Sequence, residues 1–339
     1  MRPSTLRLLA AALVAAALVA ACGSSKSSTT TPPAGATTGA GATSAAATGD
    51  CAPKAGDDLV VLADDKHSQN SDNVVPIVRT DVAKSPLTDA LNAVSAALSQ
   101  SALHDLNAAV SIDKKTSADA AQAFVDENKL GDGLTGGSGK IVVGAANFAE
   151  SLTLANVYAD ALKKAGYDAT AKTSGARAAY EPALEKGDIQ VFPEYAATFT
   201  TFLATKQKAS AKASGDITAT IAALKPLAAT AGLTVLDPAE ATDQNAFAVT
   251  KASADAYGLT SLSDVAAKCG SGVTVGAPAE CPTQGYCKQA LENDYGIKIN
   301  DLKALDEDGP ITRQALKGGQ VLIGEVFSSD ADVAAASSG

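Results

Sequence analysis

Lys140-Ile141-Val142-Val143-Gly144, the run from Glu150 to Ala165, Gly166, and the run from Asp168 to Thr173 decide the fold of this chain. The first is a short apolar run rich in β-branched residues, which reads as a buried strand. The second carries apolar residues at three- and four-residue spacing and stops at Gly166, which reads as a helix with a glycine end. The third is again extended. Strand, helix and strand in so short a span make a βαβ unit, whose strands lie parallel.

The rhythm continues toward the C-terminus. Ala176–Glu185 is a helix closed by Gly187, and Ile189–Phe192 a strand. Helices are expected over Thr198–Leu203 and Asp216–Ala231, and a strand over Leu233–Leu236 that leads to Asn245–Val249. Helix Ser263–Lys268, strand Val273–Ala277, helices Gln284–Tyr295 and Thr312–Lys317, and strand Val321–Val326 complete it. The expectation is an α/β fold with parallel sheets. Before the glycine-rich joint Gly131–Gly139 the order changes. A strand at Leu59–Leu62 and an extended segment at Asn73–Val78 precede three amphipathic helices. These span Pro86–Leu98, Ser101–Val110 and Ser117–Glu127, the last capped by Thr116.

Farther toward the N-terminus, Gly23–Gly49 is almost only Gly, Ala, Ser, Thr and Pro. Such a segment buries no core and reads as a disordered tether, with a reach of roughly 30 Å. Arg2, Arg7 and the apolar run Leu8–Ala21 form an export signal, too short to span a bilayer comfortably. Leu18-Val19-Ala20-Ala21-Cys22 resembles the lipobox of bacterial lipoproteins. That resemblance implies a signal peptide over 1–21 and an acylated Cys22; the alternative is an ordinary signal peptide. Either way the protein works outside the cytoplasm, on the outer face of the cell membrane if lipidated, without ATP or a reducing pool.

The 339-residue chain has a formal net charge of −10, and loss of Arg2 and Arg7 makes the mature form more negative. An acidic surface argues against nucleic acid and against binding anionic lipid, so membrane contact is expected through the lipid alone. There is no Trp, so each buried Tyr or Phe is informative. Of the five cysteines, Cys51, Cys269, Cys281 and Cys287 remain after Cys22, an even set in an oxidising compartment. Three pairings are possible. The strand between Cys269 and Cys281 would hold those two too far apart for a bridge, which favours Cys281–Cys287 and Cys51–Cys269. A zinc site is the alternative, although the spacings fit no familiar finger and only His67 and His104 could assist.

Five motifs occur in one order: Ile141-Val142-Val143-Gly144, Asn147-Phe148-Ala149-Glu150, Phe192-Pro193-Glu194-Tyr195 with Thr198, Asp308-Gly309-Pro310-Ile311, and Phe327-Ser328-Ser329-Asp330. Together they resemble the substrate-binding component of osmoprotectant (glycine betaine, choline, carnitine) ABC importers, over residues 57–339. The resemblance implies a two-lobed, periplasmic-binding-protein-like (type II) clamshell, a small-molecule solute as ligand, permease subunits as partners, a monomer and no cofactor. In that family the segment resembling Leu59–Pro76 and its helices comes last, whereas here it comes first. The chain therefore looks circularly permuted, with the old termini joined through Gly131–Gly139. An unrelated helical domain over 57–130 is the alternative. The implied division is a tether over 22–56, lobe I over 69–236, and lobe II over 57–68 plus 237–339. The crossings fall near Lys66–Val74 and Asp237–Asn245.

Ligand in such a clamshell sits at strand C-terminal ends and helix N-termini. A quaternary ammonium has no N–H to donate and is held by aromatic faces. Position by position, the resemblance implies Tyr195 as a cage tyrosine and Thr198 as a hydroxyl on the ligand carboxylate, with Phe247 and Phe327 as further cage positions. Asp72 stands where another cage tyrosine is usual, Ala146 where a carboxylate-binding lysine is found, and Gln284 near a common arginine position. Asn147 is expected to touch ligand, to cap the following helix, or both. Missing cations and an added carboxylate favour a cation without a carboxylate, choline-like, or a neutral polar solute, over glycine betaine. Phe247 and Phe327 read equally well as core residues, and Asp72 as a solvated turn. Two other classes compete. A solute sensor of the same fold needs no transporter. An exported hydrolase would need a nucleophile–base pair, and neither a Gly-x-Ser-x-Gly elbow nor a His-Glu-x-x-His motif occurs.

Overall fold

The structure, a computed structural model, describes residues 50–306 and 309–334. The expected leader 1–21, Cys22, and the tether as far as Gly49 lie outside the described residues, as does Asp308 of the fourth motif.

The βαβ unit read from the sequence is present as β3 (Lys140–Ala145), α4 (Ala149–Lys164) and β4 (Asp168–Thr173), with β3 and β4 parallel from Lys140↔Asp168 to Ala145↔Thr173. The sheet they belong to is completed by β5 (Val191–Tyr195), β2 (Val74–Arg79) and β6 (Leu233–Val235), in the order β4-β3-β5-β2-β6. Its two faces alternate along each strand, as a period of two requires. Val74 and Val78 face α1 (Leu87–Ala97), α2 (Gln100–Ser111), α3 (Ser117–Glu127) and α4. Val75 and Ile77 face α5 (Arg177–Lys186), α6 (Ala196–Gln207) and α7 (Ile217–Thr230). Burial on both faces explains why these strands read as continuous apolar runs. Gly144 is needed where β3 passes β5: a Cβ there would lie 2.7 Å from the Phe192 ring.

The second sheet runs in the order β11-β1-β7-β10-β8-β9. Its strands are β11 (Val333–Ala334), β1 (Leu59–Val61), β7 (Asn245–Thr250), β10 (Ile323–Phe327), β8 (Val273–Pro278) and β9 (Ile299–Leu305). One face packs on α8 (Lys251–Tyr257) and α9 (Leu262–Lys268) through Phe247, Val249, Val275 and Ile323. The other packs on α10 (Pro310–Lys317) through Ala246, Ala248 and Val326. Each sheet with its helices makes one lobe of an α/β clamshell, and the described residues belong to one compact unit.

Neither sheet is wholly parallel, which corrects the sequence expectation. β2 is antiparallel to β5 and β6, and β7 to β1 and β10. These strands arrive from the other sheet along segments 62–73 and 236–244. No crossover helix turns them round, so they enter from the opposite end. The two segments run side by side: Asn73 pairs with Thr242, and Asp243 N donates to Asp72 O at 3.1 Å.

Three further readings change. The helix expected over Gln284–Tyr295 begins only at Lys288 and closes as a π turn at Ala290–Asp294, and a 3₁₀ turn at Cys281–Thr283 precedes it. α8 and β9 were not anticipated. Residues 51–56, assigned to the tether, pack on the second lobe: Lys54 N donates to Ser253 Oγ at 3.0 Å and Gly56 N to Lys317 O at 3.0 Å. Disulfides join Cys51 to Cys269 and Cys281 to Cys287. No helix among the described residues is long and apolar enough to cross a membrane.

Candidate functional site

A cavity of about 530 Å³ opens where β5 ends, α6 begins and the two connecting segments meet β7 and β10. Tyr195 is the last residue of β5 and the N-cap of α6, a strand-to-helix junction that aims its side chain at the cavity. The phenol donates to Glu150 Oε1 at 2.6 Å, and its ring stacks on Phe148 at 6.2 Å. Burial, then the Glu150 carboxylate, holds the Tyr195 pKa well above the usual phenol range. Glu150 is itself buried and also accepts from Asn107 Nδ2 at 2.5 Å. Burial raises its pKa, against the pull of hydrogen bonds from Tyr195, Asn107 and Ser329.

Asp72 and Thr198 meet at the same helix start. Thr198 N donates to Asp72 Oδ1 at 2.9 Å, so Asp72 caps α6 from a different segment of chain. Asp72 is 6% exposed, and burial pushes its pKa up to about 6, although the Thr198 and Ala197 amides and Arg177 all favour the charged form. The solvated-turn reading of Asp72 does not hold. Thr198 Oγ1 accepts from Arg177 Nη2 at 3.0 Å.

Arg177 is a cavity residue that sequence reasoning missed. It opens α5, and Glu194 of β5 engages it in two hydrogen bonds, 3.1 Å from Nε to Oε1 and 2.9 Å from Nη2 to Oε2. Tyr180 donates to the same carboxylate at 2.5 Å, which leaves the buried Glu194 fully partnered within its own lobe. Tyr286 was missed as well. It stands in the short ring closed by Cys281–Cys287 and lines the cavity from the second lobe. Its backbone oxygen accepts from the buried Gln69 Nε2 at 2.7 Å, which ties the ring to the connecting segment. A tyrosine flanked by a six-residue cysteine spacing was the available signal.

Phe327 lines the cavity at the end of β10, opposite Asn245 in register. Ala146 lines it too, at the end of β3. Phe247 does not. It shares the face of β7 with Val249, is 1% exposed, and packs in the core near Leu262 and Ile323. It lies two residues inward from Asn245 on the same face, so its ring sits under α9 and borders a separate cavity of about 230 Å³. Asn147 is exposed and outside the lining, and the N-cap of α4 is Phe148, with no side-chain cap. Gln284 also lies outside; its backbone closes the 3₁₀ turn. The site therefore gathers Tyr195, Thr198, Phe327 and Asp72 and leaves out Phe247, Asn147 and Gln284.

The arrangement can enclose a small solute between aromatic walls, with one guanidinium and several carboxylates in reach. Comparison with known proteins agrees. The family model for the substrate-binding domain of the ABC-type glycine betaine transport system matches residues 45–127 and 139–337. No curated protein matches the chain. The solved structure of a glycine betaine/carnitine/choline ABC transporter aligns at 16% identity and a TM-score of 0.42, over 56% of this chain and 68% of its own, too weakly to carry an argument. The family match sets the hydrolase reading aside, because the matched domain binds solutes and is not an enzyme. The chain belongs to the family of substrate-binding domains of ABC-type glycine betaine transport systems.

Proposed function

We propose that this protein captures a small quaternary ammonium cation without a carboxylate, choline in preference to glycine betaine, and delivers it to the permease subunits of its importer. The charge balance of the cavity carries the reading. Among the described lining residues Arg177 is the one cation, and Glu194 already engages it. Asp72 and Asp243 line the same space. A ligand carboxylate enclosed there would meet these acids with no unengaged cation to offset its desolvation. A quaternary ammonium is attracted by the acids and by the faces of Phe148, Tyr195, Tyr286 and Phe327. Calorimetric titration tests this: choline should bind more tightly than betaine, and the reverse order overturns the reading.

Segments 62–73 and 236–244 act as the hinge in this proposal, with lobe I spanning about 69–236, and closure covers the cation. Circular permutation is part of it. The family match breaks over 128–138, at the glycine-rich joint, and β11 pairs directly with β1, Leu59 opposite Val333. Both facts support a relocated chain break. Acylation of Cys22 would anchor the monomer outside the cell; radiolabelled fatty acid should enter the wild type and not Cys22→Ser.

A further inference from the structure

We propose that the cation cavity continues into a second, apolar chamber that receives the tail of the ligand, so that the solutes bound best are quaternary ammonium compounds carrying an alkyl or acyl chain. This rests on the cation reading above. The chamber, about 740 Å³, lies between the C-terminal end of α2, the N-terminus of α4, Arg313 of α10 and the loop that follows β10. It shares Phe148, Asp243 and Phe327 with the cation cavity, so the two are neighbours across those three side chains.

What lines the chamber argues for a tail. Four large apolar side chains are exposed among the described residues: Ile112, Phe148, Tyr286 and Ile311. Ile112 and Phe148 line the chamber, and Phe148 and Tyr286 line the cation cavity. Exposed apolar side chains gathered at a concavity mark a ligand surface more than singly scattered ones do. The polar side chains around the chamber are engaged with protein groups. Arg313 pairs with Asp330 at 3.1 Å, Glu150 with Tyr195 and Asn107, and Ser329 with Asp243 at 2.7 Å. The apolar surface offered to a ligand comes from Val110, Ile112, Phe148, Ala149, Phe327 and Ala331. A small solute held in the cation cavity leaves Val110 and Ile112 uncovered, since neither lines that cavity. An alkyl chain leaving a cation held at Tyr195 would pass Phe148 and cover it.

The test is a titration series of tetramethylammonium and butyl-, hexyl- and octyltrimethylammonium by calorimetry. Affinity should rise by up to about fourfold per added methylene, with a heat-capacity change that grows more negative along the series. Ile112 is 57% exposed, so Ile112→Asp leaves the core intact. It should remove about tenfold or more of the octyl gain and leave tetramethylammonium within about twofold. Val110→Asp should act in the same direction. A series that binds with flat or falling affinity overturns the tail chamber and leaves the cation reading standing. A series in which no member binds overturns the cation reading, and the chamber with it.

Discussion

Asp72 answers two demands at once. Its carboxylate caps α6 by accepting from Thr198 N, and it faces the cation cavity. Burial sets its folded pKa at about 6 against an ordinary 3.8. A carboxyl whose folded pKa is raised costs stability wherever it is ionised. The cost is absent below pH 3.8, grows between 3.8 and 6, and is complete above 6, at up to about 3 kcal/mol. Asp72→Asn keeps an acceptor for Thr198 N and removes the charge. Denaturant unfolding at pH 7 should show the variant more stable than the wild type by a large part of that amount, with the gain gone at pH 3.5. Cation affinity should move the other way, falling about tenfold in the variant. In the wild type it should fall as pH drops through about 6 and Asp72 takes up its proton. Tyr195 was legible because its motif places it at a strand end, and Asp72 because the family resemblance puts a cage position there. Arg177 was not, because nothing local in the sequence says that Glu194, a strand away, holds it at the cavity.

At the scale of elements, the Cys281–Cys287 ring governs one wall of the site. It takes up the first four positions, 284–287, of the helix expected over Gln284–Tyr295. The helical pattern is expressed only from Lys288 onward, because the ring holds a 3₁₀ turn and a non-helical bend ahead of it. Tyr286 rides on the ring and is tied by Gln69. Tyr286→Ala should weaken tetramethylammonium binding by between about twofold and thirtyfold, while Tyr286→Phe keeps the aromatic face and stays near wild type. Replacing both Cys281 and Cys287 with Ser should weaken binding in the same direction, because the wall loosens, and should cost about 2 kcal/mol of stability in a melt. Elements with strong periodicity, β3, α4 and α7, were readable. β9 was not: Asn300, Asp301 and Lys303 interrupt its apolar positions at the edge of the sheet, where one side needs no core residues. Phe247 marks the limit of a position carried over without its depth along the strand. It shares a face of β7 with Asn245 and Val249, and only Asn245, at the strand's end, lines the cavity.

For the whole molecule, the order of segments matters less than their adjacency. The two sheets, their four core layers and the paired connecting segments hold together whichever loop carries the break. A rearranged chain that starts at Lys140, runs to Ala334, continues through a flexible linker to Asp50 and ends at Leu130 retains every strand pair and both disulfides. It should melt within a few degrees of the parent and bind the same ammonium ligand with unchanged affinity. Loss of binding in a folded rearranged chain would show that continuity through Gly131–Gly139 shapes the cleft. The mixed strand directions were the whole-molecule feature that the sequence could not express, since they follow from which sheet a strand leaves rather than from its own residues.

The Cys51–Cys269 disulfide has a mechanical consequence. It closes a covalent loop with a sequence separation of 218 residues, which takes in the whole first sheet as well as β1 and β7. Force applied at the two ends of the chain is carried through the sulfurs and bypasses everything inside the loop. In a single-molecule pulling experiment the oxidised protein should withhold about 780 Å of contour length, at about 3.6 Å per residue, and release it only after reduction.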